Sequence, residues 1–485
     1  MCEHFKKTNI FPGGFSEKVF VSEEHLKNVA YNVPEDITDE EISFYEPLGC
    51  CIRAIKRCGL INGDNVLTIG LGSIGLLMSE GIKAMGYKVY GCDLIDERIS
   101  IADSMGIGEA EDAAKFNDVG ANTFGHIANL SKEFNIPTLT KLGIGNICPN
   151  DKIKAVEHPL GVVARMKEIS NGKDTLTGHF EIMGLHVTKP FPSFTDTGFP
   201  KELLDKMTNY SKRGIIGNCS ASGTEIIKEL GEQQLKTGDL IVYTSADSVL
   251  QIAAHEEVIP LDELYDICHY TRQITLENPE WQVGRIIARP YLGTNKDNFK
   301  RTTNRHDYAV SPYDKTCLDY LKDSGYDVVA IGKIYDIFNG CGITEYENLR
   351  TTSNHDGMLK TISFLDKEFT GICFTNLVDF DALYGHRRDL KGYHDAIEEF
   401  DVDLQNFMSK MKDDDLLIIV ADHGNDPIHH GTDHTREDVP FIAYSNQIKG
   451  KVLPDFSTFG FVASTIADNF NIKKPNIGIS VLEKL

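Results

Sequence analysis

The sequence predicts an α/β protein: a core sheet of mostly parallel strands, an inserted α/β domain, and a partial βαβ segment in front. Three observations carry this. Short β-branched or aliphatic runs recur along the chain, at Val66–Ile69, Leu240–Tyr243, Val328–Ile331, Ile372–Val378 and Leu416–Val420. Uncharged runs of this length read as buried strands. Between them lie stretches with helical periodicity, notably Pro200–Ser211, Gly223–Leu235 and Tyr393–Met411. Two of the strands, moreover, run straight into aspartates and histidines, and in open α/β sheets ligands gather beyond the carboxyl ends of strands.

Composition bounds the function. A chain of 485 residues suggests roughly three domains, and its 41% hydrophobic content is enough for large cores. With 49 basic against 72 acidic residues the net charge is −23. That argues against nucleic acid or an anionic membrane as partner, since both need basic patches. A small phosphorylated substrate needs only a few local cations and stays open. The eleven cysteines include no C-x-x-C pair, so a reduced, cytoplasmic setting is expected. No run approaches the ~18 apolar residues of a membrane span.

The first unit is Val66–Ile69 as a strand, the turn Gly70-Leu71-Gly72-Ser73-Ile74-Gly75, a helix to about Met85, the strand Lys88–Cys92, and Asp93. In a Rossmann-type fold, Gly70, Gly72 and Gly75 would let backbone approach a pyrophosphate, and Asp93 would bind a ribose hydroxyl. Residues 2 to about 100 resemble an internal piece of a zinc-type medium-chain alcohol dehydrogenase. The resemblance rests on Phe11–Glu17, Tyr45–Cys51 and the glycine turn. It implies a segment truncated at both ends, without most of that family's zinc site. One βαβ unit cannot enclose a dinucleotide, so these positions read as vestigial and NAD is not an expected cofactor.

The stretch 420–434 packs three aspartates and four histidines into fifteen residues behind the Leu416–Val420 strand. Such ligands suit Mn²⁺, Mg²⁺ or Zn²⁺. Asp381 and His386 follow a second strand. Ligands from two strands favour a binuclear site, whose cations clamp both sides of a phosphoryl displacement. Thr175, in the polar turn Lys173–His179, offers a hydroxyl for activation beside such a site. Its turn could open a helix whose N-terminus favours phosphate, although a threonine there most often serves as a helix cap.

Residues 103–485 resemble bacterial phosphopentomutases of the alkaline-phosphatase superfamily. The stretches that carry the likeness are Gly106–Phe116, Gly172–Gly184, Tyr243–Glu257, Asn304–Tyr308, Asp379–Arg388 and Ala421–Glu437. The resemblance implies a phosphopentomutase that interconverts ribose 1-phosphate and ribose 5-phosphate, and the 2-deoxy pair, with two Mn²⁺ ions; Mg²⁺ or Zn²⁺ could substitute. On this likeness Thr175 is the phosphorylated threonine. Asp103, Asp422 and His423 match the ligands of one metal, and Asp381, His386 and His434 those of the other. Ser245 and Asp247 match substrate-side or interdomain positions in a cap domain; Arg285 and Arg301 match residues that grip the distal phosphate, and Lys333 a third cation. His429, His430, Asp426 and Asp433 are not carried over as ligands: the aspartates read as supporting groups and His430 as exposed. The implied domains are a dehydrogenase-like segment (1–102), a core in two parts (103–189 and 311–485) and a cap (190–310).

One feature cuts against this assembly. Ile95, Ile99 and Ala102 are spaced four and three apart, which predicts a helix where the mutase family has its first core strand. A helix there would remove a central strand, misplace Asp103 and leave an impaired chimera. That chimera, and a dehydrogenase remnant, are the alternatives to a working mutase.

Overall fold

A central strand is buried on both faces and is therefore mostly apolar, and two stretches are buried from end to end. In the computed structural model described here, all six residues of Gly371–Asn376 and all six of Asp415–Val420 are buried strand. The structure describes residues 45–58, 60, 65–69, 78, 81–85, 87–92, 96–101, 104–130, 133–245, 248–367 and 369–485. The chain divides into two units, Met1–Leu94 and Ile95–Leu485.

In the first unit β1 (Asn65–Ile69) and β2 (Lys88–Cys92) pair in parallel, with Asn65 opposite Lys88 and Ile69 opposite Cys92. The helix Tyr45–Arg57 buries Cys51 and Ile55, which stand one turn apart on one face. Gly70, Gly72, Gly75 and Asp93 lie outside the described residues.

The second unit opens with β3 (Asp96–Ile101) and β4 (Val162–Met166). Six strands then form a sheet of their own: β5 (Ile215–Ser220), β6 (Leu240–Thr244), β7 (Val249–His255), β8 (Arg285–Leu292), β9 (Lys300–Arg301) and β10 (His306–Ala309). Its order is β10-β8-β7-β6-β5, with β9 on β8. Alternation along β6 decides how it is covered. Leu240 and Val242 pack with Leu203, Met207, Leu264 and Ile267 of two helices, whereas Ile241 and Tyr243 pack with Ile226 and Ile227 of the helix Gly223–Thr237. Period-two side chains thus bury both faces of this smaller sheet.

The main sheet is completed by β11 (Asp327–Ile331), β12 (Gly371–Asn376), β13 (Asp415–Val420), β14 (Val439–Tyr444) and β15 (Lys451–Val452). Its order is β11-β12-β3-β13-β14-β4-β15, and only β14 runs against its neighbours. Against it packs the helix Leu390–Lys410, started by Asp389, whose side chain accepts from Gly392 N at 2.9 Å. That helix buries Tyr393, Ala396, Ile397, Phe400, Leu404 and Phe407, the helical stripe that a sheet-covering helix needs.

The helix expected over residues 95–102 is not what forms. Asp96–Ile101 is a strand at the centre of the main sheet, parallel to β12 on one side and β13 on the other. Ile99 and Ile101 also stand at the strand period of two. Two fully buried neighbours offer hydrogen-bond ladders on both edges, and such tertiary pairing overrides a short helical spacing. The registers bring Ile101 opposite both Asn376 and Val420, so the carboxyl ends of three strands are flush.

Candidate active site

The loops leaving those flush ends converge. β13 ends at Val420, and Asp422 and His423 follow at once, 0% and 1% exposed. β12 ends at Asn376, and a π-helical turn, Phe380–Gly385, brings in Asp381 and ends at His386. His434 enters from the loop behind His423. Its Nε2 lies 3.2 Å from Asp381 Oδ1, and His386 Nε2 lies 3.2 Å from Asp381 Oδ2. His423 and His434 stack with ring centroids 3.8 Å apart. Donor atoms of Asp381, His423 and His434 all fall within 4.8 Å of one another.

Each histidine is aimed by its other nitrogen. His386 Nδ1 is 2.7 Å from the Thr432 carbonyl, His434 Nδ1 3.1 Å from that of Lys173, and His423 Nδ1 3.1 Å from that of Gly424. Imidazoles held this way present Nε2 to the centre, the arrangement metal-binding histidines use. Burial lowers the pKa of His423, against the pull of Asp422. The imidazole is therefore neutral near pH 7, its ligating form. Burial would raise the Asp381 carboxyl, but His434 and His386 outweigh it and hold Asp381 well below the carboxylate range. A buried set of carboxylate oxygens and imidazole nitrogens fits a divalent metal.

Thr175 opens the helix Thr175–Ile182, and Asp174 caps it, accepting from Leu176 N at 3.1 Å and Thr177 N at 3.2 Å. The cap is therefore Asp174, and Thr175 keeps its hydroxyl for the site, 3.2 Å from His423 Nε2. The amides of Leu176 and Thr177, expected to face phosphate, are turned to Asp174 instead. The helix comes this close because residue 178 is glycine: a Cβ there would stand 2.1 Å from the Asp422 carbonyl oxygen. His179, one turn on, holds Asp422 Oδ2 at 3.1 Å and the Thr175 carbonyl at 2.8 Å through Nδ1.

Above Thr175 opens a cleft of about 410 Å³. It is lined by Asp381 and His386 on one side and by Ser245, Arg285, Arg289, Arg305, Lys333 and Arg350 around the rest. Arg285, Ile287 and Arg289 alternate along β8, so one strand face delivers two guanidinium groups. Arg289 Nε is 2.9 Å from Gln251 Oε1, and Gln251 Nε2 is 3.2 Å from Ser245 Oγ. Arg305 makes two 2.6 Å bonds to Asp307. Burial, with Arg305 close by, lowers the Arg289 pKa to about 10, so it remains a cation.

Of the residues read from the sequence, Thr175, Asp381, His386, Asp422, His423, His434, Ser245, Arg285 and Lys333 meet at this centre or cleft. Arg301 does not. It sits on β9 and lines a separate recess with Thr224, Ile227, Phe299 and Lys300. Asp103 and Asp247 lie outside the described residues. Among residues the sequence reading missed, Ser104 is the most central. Fully buried at φ +63°, it joins both halves of the donor set. Its N–H donates to Asp422 Oδ1 at 3.1 Å and its hydroxyl to Asp381 Oδ1 at 2.9 Å. Arg388 was also missed; it pins the ligand loop through the carbonyls of Asp426, Gly431 and Asp433 at 2.7–3.0 Å. For Arg289 a signal existed, the two-residue alternation from Arg285; for Ser104 there was none.

Comparison with known proteins agrees with this chemistry. A family profile described as the Metalloenzyme superfamily matches residues 98–474. Phosphopentomutase of Clostridium perfringens strain 13 is 57% identical over 388 residues, spanning 79% of this chain and 97% of the relative. That of Clostridium tetani is 56% identical over 390 residues with the same coverage. A crystal structure of Leishmania mexicana phosphoglycerate mutase aligns over 80% of this chain and 97% of its own at 14% identity, with a TM-score of 0.41. No described helix is long and apolar enough to cross a membrane. Identity of this depth along nearly the whole of such relatives means that the chain belongs to the phosphopentomutase family, metal-dependent isomerases that transfer phosphate within one molecule.

Proposed function

We propose that Thr175 carries the phosphoryl group in this reaction, and that two Mn²⁺ ions are the metals. Asp381, His386 and His434 would hold one ion; Asp422, His423 and Asp103, the residue before Ser104, would hold the other. When bound, such ions neutralise charge on the phosphoryl oxygens. The carrying observation is the Thr175 hydroxyl, 3.2 Å from His423 Nε2 at the floor of an arginine-lined cleft.

The substrates are ribose 1-phosphate and ribose 5-phosphate and their 2-deoxy forms. Phosphothreonine 175 gives its phosphoryl group to the free sugar hydroxyl, which loses its proton. The product is a 1,5-bisphosphate, and the threonine oxygen departs with the bridging electrons. The bisphosphate turns over in the cleft and returns its other phosphate to Thr175, so the threonine ester is restored. Arg285, Arg289, Arg305 and Lys333 grip the phosphate that is not reacting, the planar guanidinium groups binding it bidentately. Gripping either end equally well is what lets one site serve both halves of the exchange. The sheet β5–β10 acts as the cap that carries these arginines, with Ser245 and Asp247 on the sugar side.

Thr175→Ala tests this. Conversion of ribose 1-phosphate should fall roughly 10³-fold or more, while metal content stays at two ions per chain. Unchanged conversion would sink the proposal. The N-terminal segment we read as a dehydrogenase-like piece without dinucleotide binding. Saturable NAD⁺ binding by the full chain at micromolar concentration would contradict that.

A further inference from the structure

We propose that Arg272 and Ser248 are positioning residues for the phosphate transfer: they clamp the segment Val283-Gly284 and through it hold Arg285 in the cleft above Thr175. This rests on the reading of Arg285 as a residue that grips phosphate. It adds two groups that act through Arg285 rather than on the substrate.

Arg272 is the unusual member. It is 6% exposed, on the helix Leu261–Glu277, whose Leu264, Ile267, Cys268 and Ile274 belong to the apolar core of the smaller sheet. Among the described residues no carboxylate pairs with it, and its Nε and Nη2 are buried without a hydrogen-bond partner. Burial lowers its pKa to about 10, so it stays charged near neutral pH. A buried cation without a counter-ion costs stability that an apolar side chain of similar volume would not. What the charge does make is a bond to main-chain carbonyls. Nη1 donates to Val283 O at 2.8 Å and lies 3.4 Å from Gly284 O, and bonds from an ionised donor are the strong ones.

Ser248 holds the next two amides. Its Oγ accepts from Gly284 N at 3.2 Å and its carbonyl from Arg285 N at 3.3 Å. The same Oγ donates to the Pro192 carbonyl at 2.6 Å, and the Gly284 carbonyl accepts from Val310 N at 2.9 Å. Pro192 precedes and Val310 follows the six strands of the smaller sheet. Both crossings of the chain between the two sheets are therefore tied to this one segment.

The segment also meets the helix that carries Thr175. A Cβ at residue 284 would stand 2.9 Å from Leu176 Cδ1, and Thr175, Leu176, Gly284, Arg285 and His434 line one small crevice. Arg285 is the first residue of β8. Fixing Gly284 against Leu176 thus fixes the point from which the Arg285 side chain reaches into the cleft. The phosphate that Arg285 holds is bound alike before and during transfer, so a looser grip raises KM and leaves kcat.

The test is steady-state conversion of ribose 1-phosphate by the Mn²⁺-loaded full chain carrying Arg272→Met, Arg272→Lys, Ser248→Ala, Arg285→Ala, or Arg272→Met with Arg285→Ala. Arg272→Met should raise KM on the order of 10-fold with kcat within about twofold. Arg272→Lys, which keeps a charged donor, should recover part of the loss. In the Arg285→Ala background Arg272→Met should add nothing further, because both act on one contact. Effects that add, or a kcat that falls while KM is unchanged, overturn the proposal. Should Arg272→Met fail to fold, Ser248→Ala decides, since it trims a single oxygen from a half-buried residue: KM rises if the clamp is real, and an unchanged KM overturns it. Arg285→Ala separates the two readings. If it leaves KM unchanged, the role given to Arg285 fails and the clamp with it. If it raises KM while the Arg272 and Ser248 variants do not, the clamp alone fails.

Discussion

Ser104 ties the two halves of the metal centre with a single side chain and a single amide. It donates to Asp422 from the backbone and to Asp381 from the hydroxyl, and its carbonyl accepts from Tyr393 Oη at 2.7 Å. Removing the hydroxyl leaves Asp381 with Asn425 Nδ2, at 2.8 Å, as its remaining non-histidine donor among the described residues. Groups that orient a ligand in this way typically control metal affinity by 10- to 100-fold. Ser104→Ala is therefore expected to lose metal to a chelator at 10- to 100-fold lower concentration, with the fold intact; an unchanged competition curve would deny it that role. At this scale the sequence pointed to the aspartates and histidines that gather at the centre and not to the groups that support them. Aspartate and histidine advertise themselves by type and by position behind a strand. Ser104 and Arg388 act through geometry reached only in three dimensions, Ser104 over 277 residues to Asp381. Arg301 is the converse case: the right residue type in a basic stretch, carried by its two-residue strand to another recess.

At the level of elements, β3 decides whether the core is whole. Its sequence, Asp-Glu-Arg-Ile-Ser-Ile, is too polar to read as a central strand. The periodicity of residues 95, 99 and 102 suggested a helix for that reason. What local pattern could not supply was the pair of waiting edges: β12 and β13 are legible as buried strands, but nothing in either says that they stand two places apart. The other strands that went unread, β4, β5, β7, β8, β9, β10, β14 and β15, are likewise recognised only through their partners. With ladders on both sides, the β3 amides should resist exchange nearly as long as those of β13. Hydrogen–deuterium exchange on peptides spanning 96–101 checks this. Loop-like exchange there, beside a protected β13, would mean that the centre of the sheet is not formed as described.

Across the whole molecule, buried charge makes stability depend on pH. Glu437 lies beneath the ligand loop, accepting from Thr123 N at 2.9 Å and from the hydroxyls of Thr123 and Thr435 at 2.6 Å each. Burial outweighs those bonds and raises its pKa from 4.5 to about 7. Between those values the folded chain holds a proton that the unfolded chain releases. Its contribution is thus full below about pH 4.5 and lost as pH rises through about 7, a change of about 3 kcal/mol. Urea midpoints measured across this window should fall with pH in the parent and stay flatter in Glu437→Gln; parallel profiles would mean that Glu437 is ionised throughout. The loop above it carries His423 and His434, so one segment joins the stability of the fold to the candidate metal centre.

The flush ends of β3, β12 and β13 hold the centre beside which Thr175 stands, the threonine proposed to carry phosphate. The most direct measurement is peptide mass spectrometry of the Mn²⁺-loaded chain after exposure to ribose 1,5-bisphosphate. One phosphoryl group is expected, on Thr175, absent when metal is removed by chelation. A phosphoryl group on any other residue, or none under conditions where the chain converts ribose 1-phosphate, would contradict it.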